Sequence, residues 1–400
     1  MTTDDVIAQY NRYVMDTYVR SPVVIVRGKG SRVWDLEGHE YLDLFPGWGV
    51  GGIGYSHPWV VKALRGQTTK LIHVSNNYYH VTQWRLAKTL VERSFDGRVF
   101  FANSGAEVVE AAIKLVRRWG FAAASGGASR YEMIVMDRSF HGRTTGALSA
   151  TGQQKYQQGF EPLLPGFVCV PFDDLQAVER AVTPKTVAIL LEPIQGEGGV
   201  RIASDGFLQG IRRLADEHQL VVIYDEIQTG MGRTGKLFAY QHSGIEPDVM
   251  LLAKTLGGGF PIGAMIAKRH VADVLTPGTH ASTFGGSPLA CAAALSVFEA
   301  IEKQKLLDRA VHFGQLIMDR LAALKTRCPI IREVRGRGLM IGIELSADGR
   351  PIVEACRLRR LLINCTQERT LRLLPAMTIT RAQLDRALSI LEKALVESNH

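Results

Sequence analysis

The chain alternates short, continuously apolar stretches with longer stretches in which apolar residues recur at helical spacing. A strand covered on both faces has no polar side, so short continuous apolar runs are typical of buried strands in parallel sheets. Seven such runs are present: Arg98 to Phe101, Glu132 to Asp137, Phe167 to Pro171, Thr186 to Glu192, Leu220 to Glu226, Val249 to Lys254, and Ile262 to Ala267. The alternation predicts an α/β fold with a mostly parallel sheet and right-handed crossovers.

Helical patterns separate the apolar runs, and the pattern changes after Phe284. The predicted helices are Ala106 to Trp119, Asp205 to Gln219 and Leu289 to Lys303; the predicted later strands are Arg337 to Leu345 and Leu371 to Pro375. The segment Val23 to Leu44 is hairpin-like, with turns expected at Gly28-Lys29-Gly30 and at Leu36-Glu37-Gly38-His39. We predict a large domain at 51–284 and a smaller α+β domain built from both chain ends, 1–50 and 285–400.

Composition excludes several classes of protein. Hydrophobic residues make up 46% and charged residues 22% of the 400 residues, which excludes disorder caused by low hydrophobicity. No apolar run approaches the roughly 18 residues of a membrane span, and the first twenty residues lack the apolar core of a secretory signal. Five cysteines without a C-x-x-C pair favour a reducing compartment, so we expect a cytoplasmic protein without a membrane partner.

The charge of the chain bears on its partners. The formal net charge is +8, but the chain has no basic tract of the kind that binds nucleic acid. Arg357, Arg359 and Arg360 form the densest basic group, and a solvated helix face explains them better. A diffuse positive excess instead favours small anionic molecules, which it would steer towards the protein. We therefore expect small-molecule substrates and no nucleic acid.

One glycine-rich stretch matches two nucleotide-binding patterns. Gly230 to Gly235 fits G-x-G-x-x-G, and Gly230 to Lys236 fits G-x-x-x-x-G-K. The first pattern must open a long helix, but Pro247 follows too soon; the second needs Ser or Thr where Leu237 stands. The sequence therefore favours a glycine-rich loop over a nucleotide site.

Charged residues follow two of the predicted strands, where open α/β sheets bind their ligands. Asp225 and Glu226 end one apolar run and Lys254 ends another. A carboxylate after a strand is often only a helix cap, but a lysine next to a buried strand is costly unless it has a function. Desolvated lysines serve as Schiff-base nucleophiles. Pyridoxal phosphate would be the matching cofactor; it also requires a phosphate site, a carboxylate for its ring nitrogen and a flat side chain against the ring.

The chain has candidates for all three requirements. Ser104 and Gly105 precede a predicted helix, whose N-terminus can bind a phosphate, although an ordinary serine cap explains Ser104 equally well. Phe140 and Arg143 follow another strand and provide a ring to stack and a cation for a carboxylate. Phe140 alone would more often be a core residue. Asp225 completes the set as the partner of the ring nitrogen.

With these motifs, the chain resembles the class III, fold type I pyridoxal-phosphate aminotransferases, and within them the acetylornithine aminotransferases. The motifs that carry the resemblance span almost the whole chain: Tyr41-Leu42-Asp43, Gly54 to Pro58, Asn103 to Glu107, Phe140 to Thr144, Glu192 to Gly199, Asp225 to Gly230, Ala253-Lys254 and Thr283 to Gly286. The subgroup is indicated by three further stretches: His73 to Tyr79, Leu361 to Gln367 and Leu371 to Pro375. The resemblance implies a fold type I transferase with the two domains described above.

The resemblance also implies a role for each matching position. Lys254 would hold the cofactor covalently and move the proton, Asp225 would pair with the pyridine nitrogen, and Gln228 would contact the phenolic oxygen. The other cofactor-binding positions would be Ser104, Gly105, Ala106, Phe140, Glu226, Ile227 and Thr283, the last reaching the phosphate of a neighbouring subunit. The substrate-binding positions would be Arg143, Glu197, Ser282 and Arg372. Glu197 would act as a movable counter-ion of Arg372, and no metal is implied.

The activity implied is transfer of the terminal amino group of N2-acetylornithine to 2-oxoglutarate, as in arginine biosynthesis, by a homodimer with shared active sites. Gly47 and Trp48 depart from the subgroup near the substrate entrance. Because ornithine aminotransferases have a tyrosine near the position of Gly47, free ornithine is disfavoured. Trp48 either reshapes the acyl pocket or packs as a wall residue. Succinyl-diaminopimelate, 4-aminobutyrate or ornithine as donor, and a pyridoxal-phosphate-fold protein without transaminase activity, are the alternatives.

Overall fold

The fold is built from strands and helices that alternate along most of the chain. The computed structural model describes residues 1–124 and 129–398. The strands in this part are β1 (Ile25–Lys29), β2 (Arg32–Asp35), β3 (Glu40–Asp43), β4 (Arg98–Ala102), β5 (Glu132–Met136), β6 (Phe167–Val170), β7 (Thr186–Leu191), β8 (Ile194–Gln195), β9 (Arg201–Ile202), β10 (Val221–Asp225), β11 (Val249–Leu252), β12 (Gly263–Ala267), β13 (Ile331–Arg337), β14 (Met340–Leu345), β15 (Leu361–Leu362), β16 (Asn364–Thr366) and β17 (Thr370–Leu373).

The helices fill the segments between these strands. The α-helices are α1 (Thr3–Tyr13), α2 (Pro58–Thr68), α3 (Val81–Arg93), α4 (Gly105–Ala123), α5 (Thr145–Ala150), α6 (Gln154–Gln157), α7 (Leu175–Ala181), α8 (Asp205–His218), α9 (Arg269–Ala272), α10 (Pro288–Lys303), α11 (Leu306–Lys325), α12 (Arg350–Leu358) and α13 (Arg381–Glu397). Short 3-10 helices cover Pro46–Gly49, Ala239–His242 and Lys254–Gly257. Within the described residues, no helix is both long and apolar enough to cross a bilayer.

A seven-stranded sheet forms the centre of the molecule. Its strand order is β4-β12-β11-β10-β7-β5-β6. The pairs β11–β10, β10–β7, β7–β5 and β5–β6 are parallel, and the two pairs made by β12 are antiparallel. Each of the seven predicted apolar runs overlaps one strand of this sheet, so the predicted α/β fold with a mostly parallel sheet is confirmed.

The continuous apolar runs divide their residues between two cores. In β7, Leu191 faces a core that also contains Phe207 and Ile211 of α8, whereas Leu190 faces a core that contains Val108 and Val116 of α4. Successive side chains of a strand point to opposite faces, so a strand between two layers of helices needs apolar residues at every position. This arrangement explains why these strands show no alternation of apolar and polar residues.

Two smaller sheets contain the chain ends. One has the order β1-β2-β3-β15 and the other β13-β14-β17-β16. In the first, β15 pairs in parallel with β3, with Leu361 opposite Leu42, so residues from both chain ends share a sheet. This pairing is what a small domain built from both ends would require; the division at residues 50 and 284 stays a prediction.

Two turns differ from the expectation. Gly28 and Lys29 lie in β1, and the first turn is at Gly30, where φ is +60°. Tyr55 packs so closely against Gly28 that a Cβ there would lie 2.8 Å from the Cβ of Tyr55, so this position of β1 requires glycine. The predicted strand Arg337 to Leu345 corresponds to β14 (Met340–Leu345), which begins later than expected because Gly338, with φ +56°, turns the chain between β13 and β14.

Candidate active site

The carboxyl ends of β10 and β11 bring Asp225 and Lys254 to one cavity. Asp225 is the last residue of β10 and Lys254 lies two residues beyond β11. Because the strands are parallel neighbours, both residues lie at the same edge of the sheet. The cavity has a volume of about 500 Å³ and is lined by both residues. The sequence therefore predicted this juxtaposition correctly.

Asp225 is held by two hydrogen bonds. Its Oδ1 accepts from the backbone N–H of Ile227 at 3.0 Å, and its Oδ2 lies 2.7 Å from Nδ1 of His141. Both side chains are buried. Burial disfavours a charged imidazole, but the hydrogen bond to Asp225 and the charges of Asp225 and Glu192 raise the pKa of His141. The contact with His141 therefore fixes the position of the Asp225 carboxylate at the edge of the sheet.

The sequence gives no direct sign of this role for His141, which is marked only by its place in the Phe140-His141-Gly142-Arg143 motif.

Lys254 is a partly buried lysine in an unusual backbone conformation. Its φ is +48°, so the chain turns abruptly where it leaves the sheet. Removal from water lowers the pKa of Lys254, although the negative charge of Glu197 opposes this effect. In the part of the chain that the structure describes, no carboxylate oxygen lies within 4.0 Å of its Nζ. A lysine in this environment is a good candidate for a neutral amine nucleophile.

The N-terminus of α4 forms another wall of the cavity. Ser104 caps this nineteen-residue helix, and its Oγ accepts from the N–H of Glu107 at 3.3 Å. Gly105 and Ala106 also line the cavity, and the N–H groups of a first helical turn have no acceptors within the helix. A Cβ at Gly105 would lie 3.0 Å from the side chain of Ile227, so the loop after β10 packs tightly here. This corner is suited to an anion.

A wider cavity of about 710 Å³ continues from the first, and its wall is aromatic. Tyr18, Trp48, Phe140, Tyr156 and Phe160 contribute to its lining. Lys254 and Glu197 line both cavities, so the two spaces adjoin at these residues. Trp48 is half exposed and has φ +53°, which lets its ring face this space beside Phe45 and Tyr18. Trp48 thus lies at the entrance, where the sequence analysis expected it.

Arg143 lies in this wider cavity. Its guanidinium carbon is 3.9 Å from the centre of the Tyr156 ring. Among the described residues, no carboxylate lies within 4.0 Å of it. The guanidinium is therefore held flat by an aromatic face, with its hydrogen-bonding edge directed to no protein anion.

A second arginine, Arg372, lies behind Glu197 and Gln228 of the cavity wall, and its charge is paired. The side chain is fully buried in β17, and its Nη1 donates to Oε1 of Glu197 at 2.7 Å. Burial alone would raise the pKa of Glu197, but the charge and hydrogen bond of Arg372 keep that pKa below its usual value. Glu197 therefore remains ionised beside Arg372.

The remaining predicted positions fall into three groups. Gln228 accepts from Nη1 of Arg372 at 3.3 Å and donates to the carbonyl of Trp48. Glu226 does not line the cavity, because its carboxylate accepts the N–H groups of Ala239 and Tyr240. Ser282 and Thr283 line a separate cavity of about 340 Å³.

The glycine motif that begins at Gly230 lies in the loop after β10. Residues 230–236 form turns. Nη1 of the buried Arg233 donates to the carbonyl oxygens of Leu339 and Pro375. The motif therefore forms a glycine-rich loop that holds the later strands.

Comparison with known proteins places these features in a family. The model of the class III aminotransferases matches residues 13–395. The acetylornithine aminotransferase of Caldanaerobacter subterraneus subsp. tengcongensis is 48% identical over 387 residues, covering 96% of this chain and 98% of the relative. A crystal structure of an ornithine aminotransferase from Toxoplasma gondii, which has PLP at its active site, superposes with a TM-score of 0.96 at 35% identity, covering 100% and 96% of the two chains.

A further structure supports the same assignment. The N-acetylornithine aminotransferase of Stenotrophomonas maltophilia superposes with a TM-score of 0.84 at 36% identity, covering 98% of this chain and 99% of that one. With a family match over almost the whole length, full-length relatives and the fold type I architecture, the chain belongs to the class III aminotransferases and is a pyridoxal-phosphate-dependent enzyme.

Proposed function

We propose that this chain transfers the terminal amino group of N2-acetylornithine to 2-oxoglutarate, giving N-acetylglutamate 5-semialdehyde and glutamate. The observation that carries the proposal is the pair of arginines near the cavity of Lys254. Arg372 is paired with Glu197, and Arg143 has no carboxylate within 4.0 Å among the described residues. Two substrates, each with an α-carboxylate, must react in turn in one cavity. The names of the relatives, among them acetylornithine aminotransferases at 48% and 45% identity, support this substrate.

The residues of the cavity suit the cofactor. Pyridoxal phosphate, when bound, supplies an aldehyde and an electron-withdrawing ring that take up the amino group and later release it. Lys254 would hold it, Asp225 would face the ring nitrogen, and the N–H groups of Gly105 and Ala106 would bind the phosphate. Ile227 and Phe140 line the same cavity and would contact the ring.

Lys254 would also move the proton of the reaction. Its lowered pKa favours a neutral amine, which can accept a proton at Nζ and return it at a neighbouring atom. His141 would hold the Asp225 carboxylate in place during this transfer, through the 2.7 Å contact between Nδ1 and Oδ2. The aromatic wall of the wider cavity would exclude water from the reacting atoms.

The two arginines would separate the substrates. Arg143 would bind the α-carboxylate of N2-acetylornithine, with the acetyl group against the aromatic wall. Arg372 would bind the α-carboxylate of glutamate after Glu197 moves away. While N2-acetylornithine is bound, Glu197 would pair with Arg372, so the α-carboxylate of this substrate could not bind there. Its terminal amine would then be the group that faces the cofactor.

The working enzyme would be a homodimer. Large apolar side chains are exposed in the segment from Leu71 to Trp84 and at Phe284, and exposed apolar patches mark interfaces. Asn76 donates to the carbonyl oxygens of Ser282 and Gly285, so this face includes Thr283. Thr283 lines a cavity separate from that of Lys254, which is the arrangement expected if it completes a phosphate site in the neighbouring subunit.

The location proposed is a reducing compartment such as the cytoplasm. All five cysteines are free thiols, three of them buried, which supports this compartment.

The choice of donor can be tested with purified holoenzyme. We expect N2-acetylornithine to convert the bound cofactor from its aldehyde to its amine form at least about tenfold more efficiently than ornithine, 4-aminobutyrate or succinyl-diaminopimelate. Ornithine would place an α-ammonium charge beside Arg143, 4-aminobutyrate has no α-carboxylate to bind that arginine, and succinyl-diaminopimelate has a larger, charged acyl group to place against the aromatic wall. Stopped-flow absorbance gives the rate for each donor. Faster conversion with any other donor would overturn the proposed substrate.

Lys254 can be tested by covalent labelling. Borohydride reduction of the holoenzyme should fix the cofactor to the peptide that contains Lys254, as read by mass spectrometry. Lys254→Ala should reduce turnover by at least about a thousandfold, because nucleophile and proton carrier are lost together. Lys268→Ala is the matched control, since Lys268 also follows a buried strand but lies near Glu246 and Asp248. Label on a different lysine would contradict the assignment.

The masking role of Glu197 predicts opposite effects on the two half-reactions. Glu197→Ala should speed the half-reaction with glutamate and slow that with N2-acetylornithine, each by about tenfold, the effect of one charged hydrogen bond. Arg372→Ala should chiefly damage the glutamate side. Single-turnover rates measure both, and Glu217→Ala on the exposed face of α8 is the control. If Glu197→Ala slows both half-reactions equally, the proposed masking of Arg372 by Glu197 is wrong.

The dimer can be tested through the exposed face. Tyr79→Asp places a charge where the side chain is fully exposed in the monomer and would be buried in the dimer. We expect a shift to monomer in analytical ultracentrifugation, together with a weaker affinity for the cofactor. Leu358→Asp, at another exposed apolar position, should remain a dimer. A monomer that is fully active and saturated with cofactor would refute the shared site.

A further inference from the structure

Asn364 lies directly opposite Arg372 in the small sheet. The two residues are partners across the antiparallel strands β16 and β17. On the other side of β17, the partner of Arg372 is Gly342, which has no side chain to offer. The register of three strands therefore leaves Asn364 as the cross-strand neighbour of this buried arginine.

The guanidinium of Arg372 has different kinds of acceptor on its two sides. Its Nε and Nη2 both donate to Oδ1 of Asn364, at 3.3 and 2.9 Å. Its Nη1 donates to Glu197 at 2.7 Å and to the amide oxygen of Gln228 at 3.3 Å. The neutral amide oxygen of Asn364 thus holds one edge of the guanidinium, and the charged acceptor, Glu197, lies on the other side.

Glu197 is the acidic residue that neutralises this arginine. In residues 1–124 and 129–398, Glu197 is the sole carboxylate within 4.0 Å of the guanidinium. A buried guanidinium needs its donors satisfied, and an amide oxygen satisfies them without cancelling the charge. When Glu197 turns away, the contact with Asn364 can remain, so Arg372 stays in place and stays positive.

The segment that begins with Asn364 also holds the backbone of Glu197. The carbonyl oxygen of Glu197 accepts from Oγ1 of Thr366 at 2.7 Å and from Nε2 of Gln367 at 2.8 Å. The backbone of Glu197 and the side chain of Arg372 are therefore both fixed to the segment from Asn364 to Gln367. Only the side chain of Glu197 remains to move between the masked and the open arrangement.

We propose that Asn364 is a positioning residue that fixes Arg372 through a neutral contact and thereby makes its positive charge available to a dicarboxylic keto acid. The proposal rests on the proposed function in one respect, the binding of a substrate carboxylate to Arg372. The neutral character of the amide is the essential property. A carboxylate at the same position would hold the guanidinium equally well but would neutralise it permanently.

The decisive variant is Asn364→Asp, which changes the charge with almost no change of shape. We expect the Kd of the holoenzyme for glutarate, an unreactive five-carbon dicarboxylate, to rise by at least about tenfold in isothermal titration calorimetry, because the introduced carboxylate pairs with Arg372 and competes with the ligand. The KM for glutamate should rise similarly, while the half-reaction with N2-acetylornithine stays within about twofold of wild type. Asn11→Asp, the same change on the exposed face of α1, is the control and should alter neither value.

A second variant separates the loss of the contact with Arg372 from the effect of an added charge. Asn364→Ser removes the contact but adds no charge, so the affinity for glutarate should fall by less than in Asn364→Asp, and thermal unfolding of both variants checks that they fold. If Asn364→Asp fails to fold, a weakened glutarate affinity in Asn364→Ser still supports the proposal, and an unchanged one overturns it. Wild-type affinity in a folded Asn364→Asp also overturns it. Failure of wild-type enzyme to use N2-acetylornithine would refute only the donor, because glutarate binding is measured without turnover.

Discussion

The ion pair between Glu197 and Arg372 is the interaction on which the arrangement of the cavity depends. A guanidinium with no exposed surface is stable only if an anion balances its charge and its N–H donors are hydrogen-bonded. The residues that do this for Arg372 come from the segment after β7, from β16 and from the loop after β10, where Gln228 lies. Gln228 in turn donates to the carbonyl of Trp48 at the entrance. The position of one buried charge thereby fixes the relation of the central sheet, the small sheet and the substrate entrance.

Much of the fold is predictable because its signals are local. A strand between two helical layers has few polar positions, and the central strands show this in their own residues, with exceptions at strand ends such as Arg98 and Glu132. The differences lie at two turns. Either Gly28 or Gly30 could turn the chain, and the packing of Tyr55 on Gly28 is a distant contact that the local sequence does not show. Gly338 likewise turns the chain at the start of a stretch whose apolar pattern predicts a single strand.

The candidate site also contains a part that could be predicted from the sequence and a part that could not. Lys254 and Asp225 could be placed together because parallel neighbours end at one edge of a sheet, and this follows from strand order alone. The contact of His141 with Asp225 and that of Asn364 with Arg372 depend on the distance between loops and on strand register. The sequence contains these residues within motifs but does not show what they touch. The substrate roles of Arg143 and Glu197 came from family resemblance, and the unpaired and paired states of the two arginines are what the structure adds.

The sheet that joins both chain ends has a consequence for how the protein is made. One edge of β3 is completed by β15, and Leu44 exchanges backbone hydrogen bonds with Leu362 and Leu374. While the chain emerges from the ribosome, this edge has no partner until more than three hundred further residues have been synthesised. Until then the first strands expose an open edge of the kind that pairs with other chains. The strands β1 to β3 are thus synthesised long before the strand that completes their sheet, and during this interval they depend on other parts of the cell to keep their open edge from pairing wrongly.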